Sequence, residues 1–240
     1  MSDDWESFFS DEAEHPEKKK PVAKKKRSIK RPSRSAKVKK KARPRTESVK
    51  DTRDHLQEVK WFFEDIEPGD TPIFIGIDPG SEGAIGLIHP NKASRHTAVD
   101  IPTVQMETSK KTKKGNKAKR TVYDIGQIWQ YFEIIKEWRH RVVICLEKTQ
   151  SQPQDTPLTA YSMGAAYNMW PLFLHSHGLV MEDIIPSVWK RKMGLLKQDK
   201  EASRLAAQKL FPMAPLSRKG DHNRAEALLI AEAIRRRRSE

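Results

Sequence analysis

Residues 73–88 read IFIGIDPGSEGAIGLI, two short apolar runs separated by a turn segment rich in Gly, Pro and Ser. Runs this short, bounded by such residues, are strands: IFIGID, a turn at PGSEG, then AIGLIHP. HTAVDIP (96–102) predicts a third strand. In YDIGQIWQYFEIIKEW (123–138), Ile125, Ile128, Trp129, Phe132, Ile135 and Trp138 recur every three or four residues, which predicts an amphipathic helix. RVVICLE (141–147) is a continuous apolar run of the kind buried on both faces. Residues 158–178 predict a helix bent at Pro171, LVMEDIIP (179–186) a strand, and PSVWKRKMGL a short helix or turn. Residues 199–212 and 221–238 predict two further helices, the last with Asp221 as its N-cap candidate. A meander followed by β-α-β units is an α/β chain with a mixed sheet and helices on its faces.

The chain has 240 residues and a formal net charge of +14. That charge is segregated. Residues 18–45 hold sixteen Lys or Arg and no acid, whereas residues 1–17 hold seven acids and no Lys or Arg. Such a segment cannot bury enough apolar surface to offset its ordering entropy, so residues 1–50 are expected to be a disordered tail. Its natural partner is a polyanion. Residues 51–70 are expected to be a lead-in with a short helix, and 71–240 the folded domain. ETSKKTKKGNKAKRT (107–121), with seven basic residues, predicts an exposed loop or hairpin tip. It is either a solvated loop or an arm touching phosphates.

One cysteine, Cys145, excludes an internal disulfide and fits a reducing compartment. No apolar stretch approaches the roughly 18 residues of a membrane span. No secretory signal is expected, and the acidic start argues against a transit peptide. These features predict an intracellular, DNA-associated protein without membrane contact; nucleoid, nucleus, organelle and viral factory are all compatible with them.

Three acids stand at element ends. Asp78 closes the first strand, Glu147 closes the fourth, and Glu226 lies on the last helix with His222 one turn before it. Residues four apart share a helix face. If the first and fourth strands are parallel neighbours, Asp78 and Glu147 stand side by side at the edge where open α/β sheets hold ligands. Singly, each acid has a plain structural use: a turn former, a strand end, a solvated helix face. Together they suit divalent cations, which neutralise converging carboxylates and take oxygen ligands. Two such ions about 3.5–4 Å apart can serve phosphodiester hydrolysis.

These residues resemble the RuvC-like Holliday-junction resolvases of the RNase H-like nuclease superfamily. The resemblance is carried by IGIDPGSEGAIGLI, VVICLEKTQSQPQ, IIPSVWKRKMGLLKQDKEASRLAAQKLFP and DHNRAEALLIAEAIRRR, from about 73 to 238. It is most like the subgroup of phages, some bacteria and plant chloroplasts. The resemblance implies an RNase H-like mixed five-stranded sheet flanked by helices. It implies a dimeric endonuclease that cuts four-way DNA junctions with two Mg²⁺ or Mn²⁺ ions per site and no small-molecule cofactor. It assigns Asp78, Glu147 and Glu226 as catalytic metal ligands. The fourth ligand is His222 by spacing, with Asp221 and Asn223 as rivals; N-capping is the favoured use of Asp221.

By the same resemblance, Lys148, Gln150 and Gln152 would lie beside the scissile strand. Lys190, Arg191, Lys192, Arg218 and Lys219 are further candidate DNA contacts. Helix 158–178 is a candidate dimer interface or a core element. The expected activity is that of a crossover junction endodeoxyribonuclease leaving a 5′-phosphate and a 3′-hydroxyl. Its rivals are a nuclease of the same fold acting on other DNA or RNA, and a catalytically inactive DNA-binding protein. An actin-like ATPase would need a second similar half, for which this chain is too short. Cleavage sequence preference is not legible.

Overall fold

The apolar runs assemble into a mixed five-stranded sheet with helices on both faces, as the element order predicts. The computed structural model describes residues 54–113 and 115–240. The tail expected over residues 1–50 lies outside the described residues.

In chain order the elements are α1 (His55–Glu64), β1 (Ile73–Asp78), β2 (Ala84–Ile88), β3 (Thr97–Asp100), β4 (Thr103–Lys111), β5 (Lys117–Tyr123), α2 (Ile125–Ile135) and β6 (Val142–Glu147). α3 (Pro157–Ser176), β7 (Met181–Ile184), α4 (Pro186–Lys192), α5 (Lys200–Leu210) and α6 (His222–Arg238) complete the chain. The sheet order is β3-β2-β1-β6-β7. β2 is antiparallel to β1 and β3, whereas β6 is parallel to β1 and β7. The first connection is a tight turn in which the Gly83 N–H bonds the Gly80 carbonyl at 2.9 Å. The β1–β6 and β6–β7 crossovers carry helices, as parallel neighbours require.

Each face has its own core. On one, Ile73, Ile75, Ile77, Ile85, Leu87, Ile144 and Leu146 pack against Phe62, Phe132, Trp170 and Leu174 from α1, α2 and α3. On the other, Phe74, Ile88 and Cys145 pack against Trp189, Ala207, Leu228 and Ile230 from α4, α5 and α6. Every residue of α6 from Arg224 to Ile234 is buried, because the helix lies between the sheet and α4 and α5. It lies unusually close. Gly76 and Gly86 are partners on β1 and β2, and a methyl group on Gly76 would stand 2.1 Å from the Ala227 carbonyl oxygen. One on Gly86 would stand 2.5 Å from the Leu228 nitrogen.

Two expectations are sharpened and one changes. The segment from 51 to 70 holds the short helix expected of it, α1, capped by the Asp54 carboxylate, and its Val59, Phe62 and Phe63 are buried in the first core. The basic stretch 107–121 takes the hairpin alternative: it is the outer part of two paired strands, β4 and β5, which form a separate two-stranded ribbon. In α2 the buried face is Ile128, Tyr131, Phe132 and Ile135, while Ile125 and Trp129 are each 45% exposed. Pro171 sits within α3 without ending it. Among the described residues, no helix is long and apolar enough to cross a membrane.

Candidate active site

Parallel pairing sets Ile77 of β1 opposite Leu146 of β6. Asp78 and Glu147, one step further on, therefore close neighbouring strands at the same edge. Side chains alternate along a strand. Ile73, Ile75 and Ile77 enter the first core and Phe74 the second, so Asp78 shares the face of Phe74. In β6, Ile144 and Leu146 enter the first core and Cys145 the second, so Glu147 shares the face of Cys145. Both acids thus point to the face covered by α6. The close seat of α6 on Gly76 and Gly86 brings its Glu226 to the same edge.

The three carboxylates feel one another. Burial, then Glu147, then Glu226 push the Asp78 carboxyl up to about 8, against the relief given by Lys200 and Lys190. Burial also raises Glu147, and Glu226 adds to the rise. The Trp189 indole N–H opposes it by donating to Glu147 Oε1 at 2.8 Å. Glu226 is buried; its Oε1 accepts from the Ser203 hydroxyl at 3.2 Å and pairs with Lys190 Nζ at 3.2 Å. Trp189, Lys190, Lys200 and Ser203 are thus part of the cluster. Of these, sequence reading had singled out only Lys190, and that as a DNA contact. The signal for Ser203 and Lys200 was their spacing of three on one helix face after an Asp199 cap.

His222 is half-buried at the start of α6 and lies within electrostatic reach of Glu201. Asn223 donates to the Glu82 carbonyl and approaches Lys200 Nζ at 3.5 Å. Asp221 is buried at the N-cap position but makes no side-chain capping bond. Its carboxylate instead accepts from the Arg218 backbone N–H at 2.7 Å and the Arg218 guanidinium at 2.7 and 3.0 Å. It also pairs with Arg224 at 3.4 Å. Arg224, 1% exposed, reaches across to Asp100 at the end of β3. This buried network ties the head of α6 to the sheet, and long-range pairing of this kind had no local signal in sequence.

Among the expected DNA contacts, Lys148, Gln150, Gln152, Arg191 and Lys219 are exposed. Lys148 donates its backbone N–H to Ile184 at 2.8 Å, which fixes the start of the segment after Glu147. Lys192 pairs with Glu240 at 2.8 Å, and Arg218 is engaged with Asp221.

The donor set suits a hard divalent ion in kind. Three carboxylates converge, and their repulsion is relieved only in part by two lysines. As the side chains stand, Glu147 is turned to Trp189 and Glu226 to Ser203 and Lys190. Among the described residues, no three His, Cys, Asp or Glu groups are gathered tightly enough to hold an ion. Binding one therefore calls for rotation of these glutamates about their side-chain bonds.

No family model matches the chain. No curated protein matches it either. Solved structures similar to it include Thermus thermophilus RuvC, at 20% identity and a TM-score of 0.40 over 67% of this chain and 92% of that one. A second is T. thermophilus RuvC in complex with Holliday junction substrate, at 16% identity and a TM-score of 0.40 over 67% and 91%.

Proposed function

We propose that this chain is a structure-selective endonuclease that resolves four-way DNA junctions by metal-dependent phosphodiester hydrolysis, leaving a 5′-phosphate and a 3′-hydroxyl. The observation that carries the reading is the convergence of Asp78, Glu147 and Glu226 at one sheet edge, with Asp78 pushed up to about 8 by burial and the other two acids. Carboxylates that burial and one another push up in this way cluster at functional sites. Asp78, Glu147 and Glu226 would hold Mg²⁺ or Mn²⁺. His222 is preferred over Asp221 as the added ligand, because the Asp221 carboxylate is taken by two arginines. Bound there, divalent ions supply an activated water and stabilise the departing oxygen.

The chain's own groups do the rest. Lys190 and Lys200 lower the electrostatic cost of the acid cluster and offer positive charge to a phosphate beside it. Trp189 holds Glu147 in place through its indole N–H. Exposed Lys148, Gln150 and Gln152 follow Glu147 directly and would orient the scissile strand, since such side chains meet phosphates and base edges alike. Junction DNA as the substrate is supported by the resemblance of the blocks around Asp78, Glu147 and Glu226 to those of RuvC-like resolvases.

Paired cutting calls for two sites, and α3 offers the means. Leu158, Tyr161, Ala165, Asn168 and Leu172 are all exposed, at spacings of three and four. Leu158, Tyr161 and Leu172 are 70–75% exposed. That stripe fits a second copy of itself across a twofold axis.

The test is Asp78→Asn, assayed with Mg²⁺ on a four-way junction and on matched duplex and flap substrates. Junction binding should survive and symmetric cutting should disappear. Wild-type cutting rates in the variant would overturn the assignment. Equal wild-type cutting of duplex or flap would place the chain with nucleases of other specificity, and no cutting at all with DNA-binding proteins.

A further inference from the structure

Between Ile101 and Asp124 the chain leaves the sheet, runs outward and returns. β4 and β5 pair only with each other, from Thr103 opposite Tyr123 to Lys111 opposite Lys117, with a register shift after Glu107. A lone two-stranded ribbon is marginal in water. This one is exposed on both faces: Thr103 to Glu107, Lys111, Lys117, Lys119, Arg120 and Thr121 are all exposed. Val104 and Met106 are 41% and 48% exposed. Among the described residues most of the ribbon is left exposed beyond its root, yet its composition is far from neutral. Residues 103–123 hold seven Lys or Arg against one acid, Glu107, which pairs with Lys117 at 3.0 Å.

The ribbon's root is fixed and lies at the carboxylate edge. Asp78 pairs with Ala84, and Ala84 with Asp100, so β3 ends level with Asp78. The Ile101 N–H then bonds the Gly83 carbonyl at 2.9 Å, and the Asp124 N–H bonds the Pro102 carbonyl at 2.9 Å. Tyr123, the last ribbon residue, packs its ring on Trp170 at 5.9 Å and lies within the field of Asp78. The nine residues of β4 span about 30 Å at roughly 3.4 Å each. Duplex DNA rises about 3.4 Å per base pair, so the ribbon covers about eight or nine pairs.

We propose that the β4–β5 ribbon is a duplex-gripping arm, laid along the DNA that flanks the strand held at Asp78, with its lysines and Arg120 on backbone phosphates. A two-stranded ribbon fits the major groove, and seven cations against one acid match a polyanion rather than a protein surface. The inference rests on the nuclease reading only in taking DNA as the molecule at that edge.

Full-length D78N, expected to bind without cutting, is the parent for the test. Its comparison carries K111Q, K113Q, K117Q, K119Q and R120Q in addition. On a four-way junction with arms of about 20 base pairs, the parent should protect phosphates about eight or nine pairs outward from the centre. The ribbon variant should lose the outer protection, keep the inner, and bind at least tenfold more weakly at 0.15 M salt. Its log–log salt slope should fall by about 3–5, near 0.9 per lost phosphate contact. Unchanged outer protection and slope would overturn the arm. So would a change in sedimentation without a change in footprint, which marks the ribbon as a contact between copies. If the unmutated chain cuts no branched DNA but outer protection depends on the ribbon, the nuclease reading fails and the arm stands. The reverse pair of results fails the arm alone.

Discussion

Gly76 on β1 stands opposite Gly86 on β2, and α6 lies on the space that their missing side chains leave. Sheet and helix backbones meet there, and that contact sets the height of Glu226 above Asp78. A methyl at Gly76 would stand 2.1 Å from the Ala227 oxygen and 2.6 Å from the Ala231 nitrogen, both rigid backbone atoms. Gly76→Ala should therefore cost more than about 3 kcal/mol or abolish folding, as overpacking against backbone does. Gly164→Ala, on α3 with nothing within 4 Å, should be stabilising by up to about 1 kcal/mol. Urea unfolding of the two variants checks the contrast. Equal small effects would show that α6 does not sit where the site needs it.

Asp78 predicts a conflict between stability and function. Its folded carboxyl is pushed up to about 8, far above the value near 4 of an unfolded chain. A raised folded value means that its contribution is fully present below about pH 4 and is lost as pH rises through 8. Asp78→Asn removes that loss. In chelator, the variant should match wild type near pH 4 and exceed it by roughly 1–3 kcal/mol at pH 8.5, read from thermal unfolding. Added Mg²⁺ should raise the wild-type melting temperature more than the variant's, because only wild type gains a full set of ligands. A variant less stable than wild type at pH 8.5 in chelator would contradict the shared field of the three acids.

Much of this cluster is legible in the residues alone. Apolar runs ending in Asp78 and Glu147 place two acids at strand ends, and strand alternation puts both on one face. The helix carrying Glu226 follows from its apolar run and from the four-residue step from His222. What escapes reading is set by distant partners. Asp221 resembles a plain N-cap, but Arg218 and Arg224 bind its carboxylate, and Arg224 also holds Asp100 from a strand 124 residues away. In β4 only Val104 and Met106 alternate before the lysines begin, so the basic stretch is legible as an exposed loop or hairpin tip but the length of the paired strands is not. The short helix α1 is legible within its polar lead-in, but its burial is not, because that depends on Phe62 and Phe63 meeting a sheet that forms later in the chain.

Trp189 offers a gentler probe of the cluster. Its ring is fully buried in the second core, and its indole N–H donates to Glu147 at 2.8 Å. Trp189→Phe keeps an aromatic ring but removes the donor and leaves a small void. The cost should be about 2–4 kcal/mol, part from lost packing and part from an acid that loses its partner. Because the bond holds Glu147 down, its loss should raise the Glu147 carboxyl further. Mg²⁺-dependent cutting should then need a higher pH than in wild type. A pH–rate profile that does not move would show that Trp189 only packs.

Arg224 should be the most costly charge to remove. It is 1% exposed and pairs with Asp100 and Asp221 at once. Arg224→Met would take that guanidinium from buried Asp221, which keeps Arg218, and from part-exposed Asp100, and breaking a buried pair costs up to about 3–5 kcal/mol. Asp100→Asn should cost less, since its side chain is 43% exposed and water can replace part of the bond. Denaturant unfolding of the two variants ranks them; a reversed order would place the network's anchor on β3 instead of α6.

The exposed stripe of α3 predicts how two sites are paired. Leu158 and Leu172 are 70% and 75% exposed and lie two helical heptads apart, with Tyr161, Ala165 and Asn168 between them. Small Ala165 at the centre allows close approach, and Asn168 would fix register. The double variant L158E/L172E touches no buried residue, so the monomer's unfolding free energy should change by less than about 0.5 kcal/mol. Sedimentation of wild type at micromolar concentration should give a dimer, and of the variant a monomer. On a four-way junction the variant should nick one strand at a time, with the second cut delayed and no longer coupled to the first. A variant that remains dimeric and cuts in pairs would move the interface away from α3.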